Sequence, residues 1–167
     1  MAELTLQERL QPSLLDRLTD DEPDQPQEAT NRRVLTVLKL RDCVLRDLTW
    51  LLNTGNLGEP DLATEHPEVA RSVLNYGLPD MCGLTNSSVD TDQLARLVRQ
   101  AIWDFEPRIL RSTLRVRAIS VADHVSQNCL RFEIEGELWA QPTPLELLFK
   151  TELDLETGTV VVSEQRG

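Results

Sequence analysis

Carboxylates dominate the reactive groups of this chain, so paired-acid chemistry is the first possibility. The sequence carries 28 Asp and Glu against 17 Lys and Arg. A glycosidase needs two carboxyl groups facing one sugar, one of them held protonated by a raised pKa. Glu133, Glu135 and Glu137 alternate, so in a strand they share one face. Nothing in that row separates an acid from a base, and solubilising a sheet face is the simpler role. His66 and His124 each lack a second His or Cys at metal-ligand spacing. Cys43, Cys82 and Cys129 are scattered; Cys82 falls in a loop with no activating neighbour in sequence. The glycine patterns that cradle phosphates or form a nucleophile elbow are missing. No catalytic, metal-binding or cofactor-binding residue is therefore assigned. One polar group stands apart, Glu106-Pro107-Arg108. It is either an ion-paired brace at a chain corner or a guanidinium offered to a partner carboxylate, and the residues leave both open.

The elements around that tripeptide set where it sits. From Thr30 to Leu52, Val34, Val37, Leu38, Leu45, Leu48, Leu51 and Leu52 recur at helical spacing, and Asn53, Gly55 and Gly58 stop the helix. His66-Pro67 opens a short helix through Leu74, ended by Asn75-Tyr76-Gly77. Asp90 is an N-cap with Gln93 three residues on, and Val89 and Leu94 are spaced for a hydrophobic staple. Leu94, Leu97, Val98, Ala101, Ile102 and Phe105 form one apolar stripe, which Pro107 ends. Beyond that corner the period falls to 2. Leu114–Val121, Leu130–Leu138, Leu145–Leu155 and Thr159–Ser163 read as strands, with turns at Gln141-Pro142-Thr143-Pro144 and Glu156-Thr157-Gly158. The expected fold is α+β: helices packed on one face of an antiparallel sheet of about four strands, within a single domain over residues 30–167.

Residues 1–29 precede that domain as an acidic arm. Leu14-Leu15-Asp16-Arg17-Leu18 is an apolar patch, and Thr19–Pro26 is acidic and proline-broken, so the arm reads as a sticky segment on a flexible tether. The arm nets −6 (Arg9 and Arg17 against eight carboxylates), whereas residues 30–52 net +3. Two solvated faces are the simpler outcome of that contrast; internal pairing or a charged docking face is the sharper one. A whole-chain charge of −11 disfavours nucleic acid and anionic membrane as partners. The odd, scattered cysteines, the lack of an apolar run of about 20 residues and the polar start point to a cytosolic, non-secreted protein.

Four blocks carry a resemblance. Ser13-Leu14-Leu15-Asp16-Arg17-Leu18 comes first, then Leu45-Arg46-Asp47-Leu48 with Trp50-Leu51-Leu52-Asn53-Thr54. Ser72-Val73-Leu74-Asn75-Tyr76-Gly77-Leu78-Pro79-Asp80 follows, and then Glu106-Pro107-Arg108 behind Ala101-Ile102-Trp103-Asp104-Phe105. In this order they resemble the TssE branch of the small baseplate wedge family of contractile tails. The resemblance implies a cytoplasmic, non-enzymatic subunit of the type VI secretion baseplate. It would associate with TssF, TssG and TssK and help start polymerisation of the TssB–TssC sheath. Candidate partner-binding residues are Glu106, Pro107 and Arg108, with Leu14, Leu15, Arg17 and Leu18 of the arm. Residues 146–163 are expected to present a sheet edge to the sheath. The family has also been labelled lysozyme-like, so a peptidoglycan-cleaving enzyme is one alternative. A regulatory adaptor of another cytoplasmic complex is the other.

Overall fold

The change of period after residue 109 divides the fold into its two layers. A computed structural model of the chain describes residues 13–19, 37–59, 61–81, 90–119, 129–139 and 145–164. Helices α1 (Leu14–Leu18), α2 (Val37–Leu52), α3 (Leu62–Glu65), α4 (Pro67–Ala70) and α5 (Thr91–Phe105) precede the strands. Strands β1 (Arg115–Ile119), β2 (Cys129–Leu138), β3 (Leu145–Asp154) and β4 (Val160–Glu164) form one antiparallel sheet in the order β1-β2-β3-β4. The class is α+β, as the pattern predicts.

Helix α2 covers the part of the expected 30–52 helix that is described. Its buried stripe is Leu40, Val44, Leu48, Leu51 and Leu52. Leu40 and Val44 replace Leu45, which is only partly buried, in the expected stripe. The helix is apolar on several sides, so period alone does not choose the row that faces the sheet. Val34 and the side chains of Val37 and Leu38 lie outside the described residues. In α5 the cap is as expected: Asp90 Oδ1 accepts from the Asp92 and Gln93 N–H groups, each at 3.0 Å. Val89, the staple partner, lies outside the described residues, as do Cys82, His124 and the 141–144 turn. The helix expected from Pro67 to Leu74 is broken. Ser72 Oγ donates to the Val69 carbonyl and accepts from the Leu74 N–H, so the chain turns there into a 3-10 segment, Val73–Asn75. A serine hydroxyl that bonds local backbone competes with the helix ladder.

Period 2 puts Leu130, Phe132, Ile134 and Leu138 of β2 on the buried face, facing Leu153, Thr151, Phe149 and Leu145 of β3 in register. These residues join α2 and α5 in one core cluster. On the outer face Glu133 stands between Arg117 and Lys150, and Arg131 pairs with Glu152 at 3.1 Å. The acidic row is thus interleaved with cations, which suits a solvated sheet face.

Gly136 has a positional reason. A Cβ there would lie 3.2 Å from Ile109 Cγ2, because the chain leaving α5 crosses β2 at this point. The crossing is stitched by Leu110 N–H to the Glu137 carbonyl and Trp139 N–H to the Arg108 carbonyl, both 2.8 Å. Strand β2 therefore holds the backbone of the Glu106-Pro107-Arg108 corner in place.

Candidate functional site

Glu106 is the C-cap of α5, and its side chain turns inward: it is 4% exposed. A buried carboxylate must be paired and hydrogen-bonded. Its Oε1 accepts from the Arg108 backbone N–H at 3.1 Å and from Arg108 Nε at 2.7 Å, and Oε2 accepts from Arg108 Nη2. Pro107 makes this possible by fixing the turn that folds residue 108 back over residue 106. The same Nη2 reaches Asp47 of α2. Burial alone would lower the Arg108 pKa, but bonds and charges from Glu106 and Asp47 outweigh that effect and raise it. The corner is thus a brace between α5 and α2. Arg108 also has a group left over: Nη1 is buried without an acceptor among the described residues.

The brace continues into the arm. Asp47 Oδ1 accepts from Arg46 Nε at 2.9 Å and Nη2 at 2.7 Å. Arg46 Nη1 donates to Asp16 Oδ1 of α1 at 2.7 Å, and its guanidinium lies 5.0 Å from the centre of the Trp50 ring. Asp16, 6% exposed at its side chain, also accepts from Ser13 Oγ at 2.6 Å. One alternating row, Asp16–Arg46–Asp47–Arg108–Glu106, therefore links arm, helix and corner. Internal pairing, the sharper outcome of the charge contrast, is what joins Asp16 to Arg46.

The structure brings α1 and the corner, separate candidates in the sequence, to two ends of one groove. Between them lies an open groove of about 530 Å³, walled by Leu15, Trp50, Tyr76 and Phe105 with Pro107 and Arg108 at one side. Tyr76 meets Phe105 edge-on at 5.1 Å. Burial, then the charges of Asp47 and Glu106, raise the Tyr76 hydroxyl pKa. Leu14, Leu15 and Leu18 are exposed, by 70%, 46% and 74%. Arg17 lies in α1, but its side chain is outside the described residues. Asp16, Arg46, Asp47, Trp50 and Tyr76 escaped the sequence reading. Their one signal was that they lie inside the blocks Ser13–Leu18, Leu45–Thr54 and Ser72–Asp80 that carry the family resemblance; no spacing rule pairs residue 16 with 46 or 47 with 108.

The profile of baseplate wedge protein gp25 matches residues 38–143, more than half of the chain. The chain belongs to the baseplate wedge protein gp25 family. No single curated protein matches it. As a gp25-family protein it is a structural component of a baseplate and works in contact with other baseplate components. The matched range holds α2, most of the groove, the Glu106-Pro107-Arg108 corner, β1 and β2; α1, β3 and β4 lie outside it. Among the described residues no helix is long and apolar enough to cross a membrane.

Asp16 gives this site a pH dependence. Burial pushes its carboxyl up, but hydrogen bonds from Ser13 and Arg46 and the Arg46 charge outweigh that and leave its pKa below the ordinary 3.8. A folded-state pKa below the unfolded one means that the stabilisation is present above pH 3.8 and fades as pH falls through the folded value. A five-residue helix does not hold itself together, so docking protects its amides. Asp16→Ala is expected to remove about 1.5–3 kcal/mol of that protection at neutral pH. Hydrogen exchange of the α1 amides at pH 7 and pH 3 measures both effects. Equal α1 protection in the variant and the parent would show that Asp16 does not anchor the arm.

Proposed function

We propose that this gp25-family protein is a TssE-type subunit of a type VI secretion baseplate in the cytoplasm. Its work is to dock wedge partners (TssF and TssG, in a wedge that also carries TssK) and to nucleate the TssB–TssC sheath. The observation that carries this reading is the groove beside Glu106-Pro107-Arg108, walled by Leu15 of α1, whose neighbours Leu14 and Leu18 are exposed. It has the features of a docking surface: aromatic walls, an apolar rim and an orphaned guanidinium N–H. A partner carboxylate or carbonyl placed against Arg108 Nη1 would satisfy a donor that is buried and without an acceptor among the described residues.

The same arrangement speaks for scaffold over enzyme. The carboxylates nearest the groove, Glu106 and Asp47, are committed to arginine forks. Carboxylates held in such forks do not face one sugar across an open cleft, as glycan cleavage requires.

Of the expected edge at residues 146–163, β3 lies inside the sheet, so sheath nucleation is assigned to β4. Strand β4 pairs only with β3 among the described residues, and its outer edge is a template for an extended segment of a sheath subunit.

The docking reading is tested on the arm. Replacing Leu14 and Leu18 together by Ser should leave stability within about 0.5 kcal/mol, because both side chains are already in water. Co-purification with TssF–TssG should fall at least about tenfold, which corresponds to about 1.4 kcal/mol of lost contact. Undiminished capture of the wedge by the double variant would remove α1 from the interface.

A further inference from the structure

Backbone groups along an antiparallel strand alternate between facing the neighbour and facing away. The Asp154 N–H donates to the Thr159 carbonyl at 3.0 Å, so Thr159 faces β3. Val160, Val162 and Glu164 consequently direct their N–H and C=O groups toward the outer edge of β4. Val162 and Glu164 have no neighbouring strand on that side among the described residues. Val160 is different. Its N–H donates to Asn53 Oδ1 at 2.9 Å, and its carbonyl accepts from Asn53 Nδ2 at 2.8 Å.

A primary amide carries one donor and one acceptor side by side, and so can stand in for the facing residue of a ladder. Asn53 follows the last residue of α2, and Nδ2 is also shared with the Thr49 carbonyl at 2.7 Å. That second bond fixes which way the amide points, since only the amide nitrogen can donate to two carbonyls. The residue that stops the helix thus also occupies the first outward position of the strand.

We propose that Asn53 is a plug on the β4 edge: it closes the pairing position at Val160, so an incoming extended segment pairs from Val162 onward. This rests on the strand-addition reading above. A closed first position specifies register, because a slip of one residue exchanges the two faces of the added strand. It also shortens the edge open to unwanted pairing.

Residue-resolved amide exchange on the full chain tests the plug, with purified TssB–TssC as the probe. In the free parent protein the Val160 amide should exchange at least about tenfold more slowly than that of Val162. Adding TssB–TssC should slow Val162 and leave Val160 unchanged. In Asn53→Ala, Val160 should lose about tenfold protection when free and regain it with TssB–TssC, because the ladder now extends one position further. Unchanged β2 amides in the variant report that the fold is intact. Val160 protection in Asn53→Ala equal to the parent's would overturn the plug, whatever the sheath does. Loss of Val160 protection in the free variant, with Val162 unmoved by TssB–TssC in the parent, would overturn strand addition instead.

Discussion

Arg108→Glu is expected to cost the folded state about 3–5 kcal/mol, the range for removing one member of a buried ion pair. The guanidinium feeds both oxygens of Glu106, a side chain with 4% exposure, and also holds Asp47. Reversal would set three carboxylates against one another with that of Glu106 out of water, and would release the contact between α5 and α2. Arg108→Lys keeps the charge but replaces a fork by a point, so an intermediate loss is expected, about 1–2 kcal/mol. Urea unfolding monitored by tryptophan fluorescence measures both. If Arg108→Glu unfolds within 1 kcal/mol of the parent, the brace is not held in solution. The ordering matters for function. Lost wedge binding in the reversal variant would follow from the broken corner alone, whereas lost binding in a folded Arg108→Lys protein would point to Nη1 and the groove.

Gly77→Ala is expected to be the second most damaging single change, at about 2–4 kcal/mol. Gly77 has φ +115°, a region L side chains rarely enter, and a Cβ there would overlap the Thr54 carbonyl oxygen. That oxygen accepts the Leu78 N–H at 2.8 Å, and Asn56 N–H returns to the Leu78 carbonyl at 2.9 Å. Both sides of the clash are backbone in a hydrogen-bonded bridge, so neither can move cheaply. Releasing the bridge would also free the loop that carries Tyr76 into the groove. Gly55→Ala is the control: nothing lies within 4 Å of its would-be Cβ, and its φ is not positive. It should be neutral or stabilising by up to about 1 kcal/mol. Thermal unfolding compares the two, and equal melting temperatures would refute the steric account.

Much of the fold was legible because it repeats along the chain. The strands came from period 2 in residues 130–163, where inward Leu, Phe and Ile alternate with Arg and Glu. The α5 start came from Asp90, whose short carboxylate reaches two backbone N–H groups only at a helix N-terminus. Local rules misjudged two places. In the α2 stripe Leu48, Leu51 and Leu52 are buried as expected, but period alone misses Leu40 and Val44, which compete with the equally apolar Leu45. The helix after Pro67 is shorter than its pattern predicts because the Ser72 hydroxyl bonds the local backbone, which no hydropathy period reports.

The candidate site divides in the same way. Glu106-Pro107-Arg108 announces itself, since a carboxylate and a guanidinium either side of a proline have few geometries open to them. That corner, the apolar arm segment, the α+β class and the family blocks are all properties of residues near one another in the chain, and can be read from it directly. Folding alone brings Asp16, Arg46 and Asp47 into the row from arm to corner, and Asn53 to the β4 edge. Those contacts join residues 30, 61 and 107 positions apart. Charge attraction acts through space and is set by which groups burial brings together, so the spacing of residues along the chain does not encode it.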